Sequence, residues 1–202
     1  GLGVTRILDS ILKHNKKIKF YQASSSEMYG KENSKIKNED TRFYPTSPYA
    51  IAKLSGFWTS TLYRDAYSVF TSNGICFNHE SPLRGLEFVS RKISNGVARI
   101  SLGLQKDLKL GNLDAVRDWG YAPEYVEGMW LTLQQKTPDD YVFATNESHT
   151  VKEFVEESCK IAGISTNKIK SSKSYLRPSD VEHLQGDPKK AEINLGWKPK
   201  VK

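Results

Sequence analysis

The apolar run Ile18-Lys19-Phe20-Tyr21-Gln22-Ala23 ends in three serines and a glutamate, Ser24-Ser25-Ser26-Glu27, and Pro45-Thr46-Ser47-Pro48 then opens a helical segment containing Tyr49 and Lys53. A buried strand that delivers polar groups at its carboxyl end, followed by a capped helix, is the repeating unit of an open α/β sheet. Such sheets bind their ligands at the carboxyl edge of the strands. Thr46 or Ser47 serves as the cap, and Pro48 takes an early helical position where its missing N–H is not needed. The feature restricts the chain to alternating strands and helices with right-handed crossovers.

The same residues have chemistry. At helical spacing i and i+4, Tyr49 and Lys53 share one face, so the ammonium can sit beside the phenol. A free phenol ionises near pH 10, and an adjacent cation favours the phenolate, which makes Tyr49 a usable proton acceptor. Ser25 can donate a hydrogen bond to the same substrate oxygen, and an ionised Glu27 can serve as a second base on a neighbouring carbon. Taken alone, a Tyr-x3-Lys pair reads as an exposed aromatic beside a solvated lysine. The helix-entry signal and the preceding strand are what give it a site to belong to.

The rest of the chain keeps the alternation. Residues 3–15 read as a helix with Val4, Ile7, Leu8, Ile11 and Leu12 on its apolar face, and residues 53–67 as a long helix with Leu54, Trp58, Leu62 and Tyr63 at helical intervals. Residues 68–78 read as a short lead-in strand, an interruption at Ser72-Asn73-Gly74, and a central parallel strand from Ile75. A helix is expected over 89–104, a short strand over 108–110 and a loop over 114–120. Beyond these come a helix over 123–135 with Val126, Met129, Trp130 and Leu133 on one side, and a last core strand over 140–145. Thr150 and Glu153 form a capping box for a helix that stops at Gly163, and Leu195-Gly196-Trp197 reads as a helix stop followed by a core anchor. No strand is followed by a glycine-rich phosphate-binding turn; Gly1-Leu2-Gly3 lacks both the preceding strand and a third glycine.

With 202 residues the chain can bury a sizeable core. No apolar stretch approaches the ~20 residues of a membrane span. With no leader pattern at the start, the expected setting is the cytoplasm. Cys76 and Cys159 lack metal or redox spacing and are expected to be buried apolar fillers, and the four histidines form no metal cluster. The net charge of +7 sits largely in lysine runs with few interleaved aromatics, a solvated pattern rather than a nucleic-acid surface. It also suits an anionic nucleotide sugar.

Four stretches carry a resemblance: residues 20–30, residues 45–53, the run Asn78-His79-Glu80-Ser81-Pro82, and Leu110-Gly111-Asn112-Leu113-Asp114-Ala115 through Arg117-Asp118-Trp119-Gly120. With these the chain resembles, over almost its whole length, the GDP-mannose 4,6-dehydratases, a branch of the extended short-chain dehydrogenases/reductases. The resemblance implies a Rossmann-like parallel sheet with a smaller α/β substrate-binding lobe. Residues 1–85 would form part of an NADP-binding domain with the catalytic groups, and 86–202 mainly the nucleotide-sugar lobe, with 112–150 partly returning to the sheet.

It also implies roles. Ser25, Glu27, Tyr49 and Lys53 would be catalytic, and Tyr49, Lys53, His79 and Arg84 would meet NADP. Asn78, Val89, Lys92, Arg117, Arg177 and Asp180 would hold GDP-mannose, with Lys92 reaching the guanine, Arg117 and Arg177 the diphosphate, and Asp180 the ribose. In the implied reaction Tyr49 takes the proton of the sugar 4-hydroxyl, Glu27 removes the carbon 5 hydrogen, and water leaves carbon 6. The product, GDP-4-keto-6-deoxymannose, feeds GDP-fucose and other deoxyhexoses. A homodimer or homotetramer is expected.

Several departures stand out. Leu83-Arg84 replaces the family's paired arginines, Leu86-Glu87 a smaller pair, Ser25 a threonine, and Asp180 a glutamate. The family's first Rossmann half has no counterpart here, so the chain is expected to be an amino-terminally truncated member, inactive by itself, and the choice between NADP and NAD is left open. The alternatives are a related nucleotide-sugar epimerase or reductase, or a non-catalytic nucleotide-sugar-binding fragment. An acidic residue two places after Ser25 favours elimination over epimerisation.

Overall fold

The structure, a computed structural model, describes residues 1–176 and 181–201. Its central sheet is parallel, with β1 (Phe20–Ser25), β2 (Thr71–Cys76) and β7 (Tyr141–Phe143) in the order β1-β2-β7. The helices α1 (Leu2–His14) and α2 (Pro48–Tyr67) pack on each other, burying Leu8 and Ile11 with Tyr63 and Val69. The helix α4 (Ala122–Gln134) packs on the sheet together with α6 (Lys189–Leu195). The α/β architecture expected from the sequence is present.

A second core joins α3 (Val89–Ser101) and α5 (Val151–Ala162) to β4 (Leu108–Leu110) and β9 (Ile169–Ser171), a parallel pair, through Ile93, Val97, Leu108, Val155 and Cys159. Thr150 and Glu153 make the reciprocal capping box of α5, and Gly163 ends the helix at φ 65°. Gly196 ends α6 at φ 67°, and the buried Trp197 donates from Nε1 to the Glu124 carbonyl at 2.7 Å, as a core anchor should. Both cysteines are buried and unpaired. Among the described residues no helix is long and apolar enough to cross a membrane, and no cluster of His, Cys, Asp or Glu could hold a metal.

Three expectations are corrected. Ser72-Asn73-Gly74 does not interrupt a strand; β2 runs through it, wholly buried. Most of its polar groups are answered internally: Asp140 accepts from the Asn73 backbone and side chain at 2.9 Å each, and Thr71 Oγ1 donates to the Ser60 carbonyl, while Asn73 Oδ1 has no partner among the described residues. Gly74 is required because a Cβ there would lie 1.9 Å from the Tyr21 hydroxyl. The true break precedes the strand, at Ser68, whose φ of 55° ends α2.

The second correction concerns the faces of α2 and α4. Trp58, Leu62, Val126 and Trp130 face solvent, and the sheet side carries small residues instead. A Cβ at Gly128 would meet the Phe143 ring at 2.5 Å. The hydroxyls of Ser60 and Thr132 donate to the carbonyls of Gly56 and Gly128 four residues back, so they are buried without an orphaned donor. In α1, Ile7 likewise lies outside, half exposed.

Third, residues 114–120 are not a loop. They form β5 (Val116–Arg117) and β6 (Trp119–Tyr121) on either side of Asp118. β5 lies between β10 (His183–Leu184), parallel, and β8 (His149–Thr150), antiparallel, while β6 pairs with β3 (Asn78–Glu80) in parallel. The fully buried Asp118 carboxylate accepts from Thr145 N and Oγ1, Asn146 N and Gly186 N, tying these short strands to the end of β7. Burial raises its carboxyl above the usual range, against the lowering effect of those four bonds.

Candidate active site

The carboxyl end of β1 carries the first group. Ser25, buried, caps the short 3-10 turn Ser26–Met28, its Oγ accepting from the Glu27 N–H at 3.2 Å. Because the oxygen accepts, the hydroxyl hydrogen stays free to donate. Ser47 caps α2 by accepting from Ala50 N at 3.1 Å, with Pro48 at the helix start, as the sequence implies. In the first turn Tyr49 is 55% exposed, so its hydroxyl is open to a ligand. One turn on, the Lys53 ammonium donates to the Ala23 carbonyl at 2.8 Å and lies 5.7 Å from the centre of the Tyr49 ring.

The second group lines a cleft of about 320 Å³, where Glu27 stands with Asn78, Arg84, Val89, Lys92 and Arg117. Six residues singled out in the sequence thus share one cavity. Asn78 comes from β3 at the exit of the central strand, Val89 and Lys92 from the first turns of α3, and Arg117 from β5. Ser25, Tyr49, Lys53 and His79 do not line this cleft. Glu27 connects the two groups, its backbone bonded to Ser25 and the residue itself part of the cleft wall. Arg177 and Asp180 lie outside the described residues.

The cleft's cations are held in place. Arg84 pairs with Glu80 at 3.1 Å and stacks 3.6 Å over the Phe88 ring. Glu80 in turn accepts from Ser90 Oγ. The Lys92 ammonium sits 4.0 Å over Tyr175, and Arg117, nearly buried, donates to the Val116 carbonyl at 2.9 Å. A cation over an aromatic face keeps its charge while its position is restricted. Glu80, Glu87 and Tyr175 are site residues that sequence reasoning missed; Glu80 lies inside a quoted motif with no role attached, Glu87 appears only as a departure, and Tyr175 carries no signal in the sequence.

His79 stacks on Tyr125 with centroids 4.9 Å apart, and its Nδ1 is 2.8 Å from the Phe77 carbonyl. That bond makes Nδ1 the protonated nitrogen of the neutral ring, leaving Nε2 as an acceptor. Burial pushes the Cys76 thiol at the end of β2 up to about 11, so it is no nucleophile at neutral pH.

Known proteins show the same chain pattern. It is 50% identical to GDP-mannose 4,6 dehydratase 1 of Arabidopsis thaliana over 98% of its length, covering 56% of that protein. To the Homo sapiens GDP-mannose 4,6 dehydratase it is 47% identical over all of its length, covering 59% of that protein. The chain therefore spans little more than half of these curated relatives. Its fold superposes on dTDP-glucose 4,6-dehydratase of Bacillus anthracis, solved with NAD, at a TM-score of 0.88 and 24% identity, covering 99% of this chain and 62% of that one. It superposes equally, at 0.88 and 22%, on RMD of Pseudomonas aeruginosa complexed with NADPH, covering 100% and 68%. The GDP-mannose 4,6 dehydratase family model matches residues 1–202, and the chain belongs to that family.

Proposed function

We propose that the protein acts in the conversion of GDP-mannose to GDP-4-keto-6-deoxymannose, a hydro-lyase reaction with NADP as cofactor. The observation that carries this reading is the double placement of Glu27, bonded through its backbone to Ser25 and lining the same cleft as Asn78, Lys92 and Arg117. An elimination needs a base beside the carbonyl-forming carbon, and an epimerisation does not.

In this reading Ser25 donates to the sugar 4-oxygen and Tyr49 accepts its proton, with Lys53 holding the start of α2 against β1. Glu27 then takes the carbon 5 hydrogen, made acidic by the neighbouring ketone. Arg117 faces the diphosphate, which its guanidinium fork suits, and Lys92 the base. Asn78 and Val89 complete the cleft wall, and Arg177 and Asp180 are assigned to the diphosphate and the ribose.

The donor set fits a nicotinamide dinucleotide. Lys53 makes only one of its three possible hydrogen bonds among the described residues, the Tyr49 hydroxyl is open, and Arg84 and His79 add a cation and a polarised ring. When bound, that group supplies the acceptor for the carbon 4 hydrogen and its return to carbon 6. Residues 1–85 belong in this proposal to the dinucleotide-binding part and 86–202 mainly to the nucleotide-sugar part. The setting is a cytoplasmic homo-oligomer supplying deoxyhexose synthesis, including GDP-fucose.

Incubation of the chain, joined to the first Rossmann half of a family member, with GDP-mannose and NADP, and in parallel with NADPH, read by mass spectrometry, tests the reading. A sugar nucleotide lighter by one water is expected. An isomer of unchanged mass marks an epimerase, and consumption of NADPH with a heavier, reduced sugar marks a reductase; either overturns the proposal.

A further inference from the structure

A second cavity, about 900 Å³, shares no lining residue with the cleft. Its walls are the connection between β1 and α2, including Lys31, Lys35, Lys37 and Arg42, and the entry to β10 at His183. The volume lies within the usual range for small-molecule sites.

Lys37 is the unusual member. It is 1% exposed, and among the described residues no carboxylate pairs with it; its ammonium donates only to the carbonyls of Ser34 and His183. Burial holds its pKa below the ordinary lysine value. An ammonium withdrawn from water with only Glu32 acting on it as a counter-charge is costly, and an anionic ligand lowers that cost. Nor is Lys37 a loose surface residue. Its N–H donates to the Gln185 carbonyl at 2.9 Å and its carbonyl accepts from Asp187 N at 2.8 Å, fixing the segment alongside β10.

The surroundings are electropositive. Lys31, Lys35 and Arg42 are exposed at the rim. Of the two carboxylates in the wall, Glu32 is turned onto the Ser34 N–H and hydroxyl, leaving only the exposed Glu182. His183 has a buried Nδ1 without a partner, and burial together with Lys37, Lys35 and Arg117 holds its imidazole below the usual value.

We propose that this cavity is a binding site for a phosphoryl-bearing small molecule, with Lys37 as its buried anchor and Lys35 and Arg42 at its rim. One buried and three exposed cations facing two carboxylates match a dianion better than a single carboxylate.

Inorganic pyrophosphate, titrated calorimetrically into the 202-residue protein, tests this. The expected result is a saturable site weakened about tenfold or more by Lys35→Ala combined with Arg42→Ala and unchanged by Lys92→Ala in the cleft. Acetate, a single carboxylate, is expected not to compete. Lys37→Met abolishes the site; should that variant fail to fold by circular dichroism, the exposed Lys35 and Arg42 pair carries the test. Absence of a site sensitive to Lys35 and Arg42, or equal binding of acetate, overturns the proposal. Neither result bears on the cleft.

Discussion

The ammonium of Lys53 donates to the carbonyl of Ala23, 30 residues earlier in the chain, at 2.8 Å. The bond fastens the first turns of α2 to β1 two residues before Ser25. The helix face that carries Tyr49 is thereby set at the strand's carboxyl edge.

Lys53→Met removes both this tie and the charge beside the Tyr49 ring. Dehydration of GDP-mannose is expected to fall about a hundredfold or more, while the melting temperature changes little, because the one hydrogen bond lost lies at the surface. Lys53→Arg, which keeps the charge but not the point donor, is expected to recover only part of the rate. Steady-state rates and thermal melts of the three proteins separate positioning from folding.

The cleft sets cations against carboxylates, so opposite substitutions should move affinity in opposite directions. Lys92→Ala is expected to weaken GDP-mannose binding about tenfold. Glu87→Gln, removing a negative charge from the wall where the family has a smaller residue, is expected to tighten it about threefold. Isothermal titration of each variant gives both numbers.

Asp118→Asn replaces an acceptor of N–H and O–H groups with an amide, leaving one or more buried donors unanswered. A loss of about 3 kcal/mol is expected in denaturant unfolding. The pH dependence carries a sign. Because burial raises the native carboxyl above the ordinary aspartate value of 3.8, the folded state binds the proton more tightly than the unfolded chain. The Asp118 contribution is therefore largest below that value and declines as pH rises through the raised native one. The stability gap between the wild type and Asp118→Asn should narrow over that window.

Gly74→Ala drives a methyl group into the Tyr21 ring, where the nearest atoms would be 1.9 to 2.7 Å away. About 2 kcal/mol of destabilisation is expected. In a Tyr21→Val background, which removes the ring, the same substitution should cost much less. Unfolding measurements on the double-mutant cycle report that coupling.

What the sequence revealed and what it hid have one physical cause. Capping and punctuation were legible: Ser47-Pro48, the Thr150/Glu153 box, Gly163 and Gly196 act through local backbone geometry and fall where expected. Hydrophobic periodicity misled for α2 and α4, whose sheet-facing sides use Gly56, Ser60, Gly128 and Thr132 so that the helices can approach closely. Ser72-Asn73-Gly74 reads as a turn until Asp140, far away in sequence, supplies the acceptor that lets Asn73 be buried in a strand. In the site, the shared cleft of Glu27, Asn78, Arg84, Val89, Lys92 and Arg117 was approached through motif resemblance, not through spacing. Glu80 and Tyr175 stayed hidden because an ion pair and a cation–π contact depend on tertiary placement.

The most direct test of the proposed chemistry follows one atom. With GDP-mannose deuterated at carbon 4, the protein and NADP are expected to yield a 4-keto-6-deoxy product with the deuterium in the carbon 6 methyl group, seen by NMR, and Glu27→Gln is expected to suppress that product. Deuterium that stays at carbon 4 in an unchanged or epimerised hexose, or full label transfer by Glu27→Gln, would contradict the assignment of Glu27 as the eliminating base.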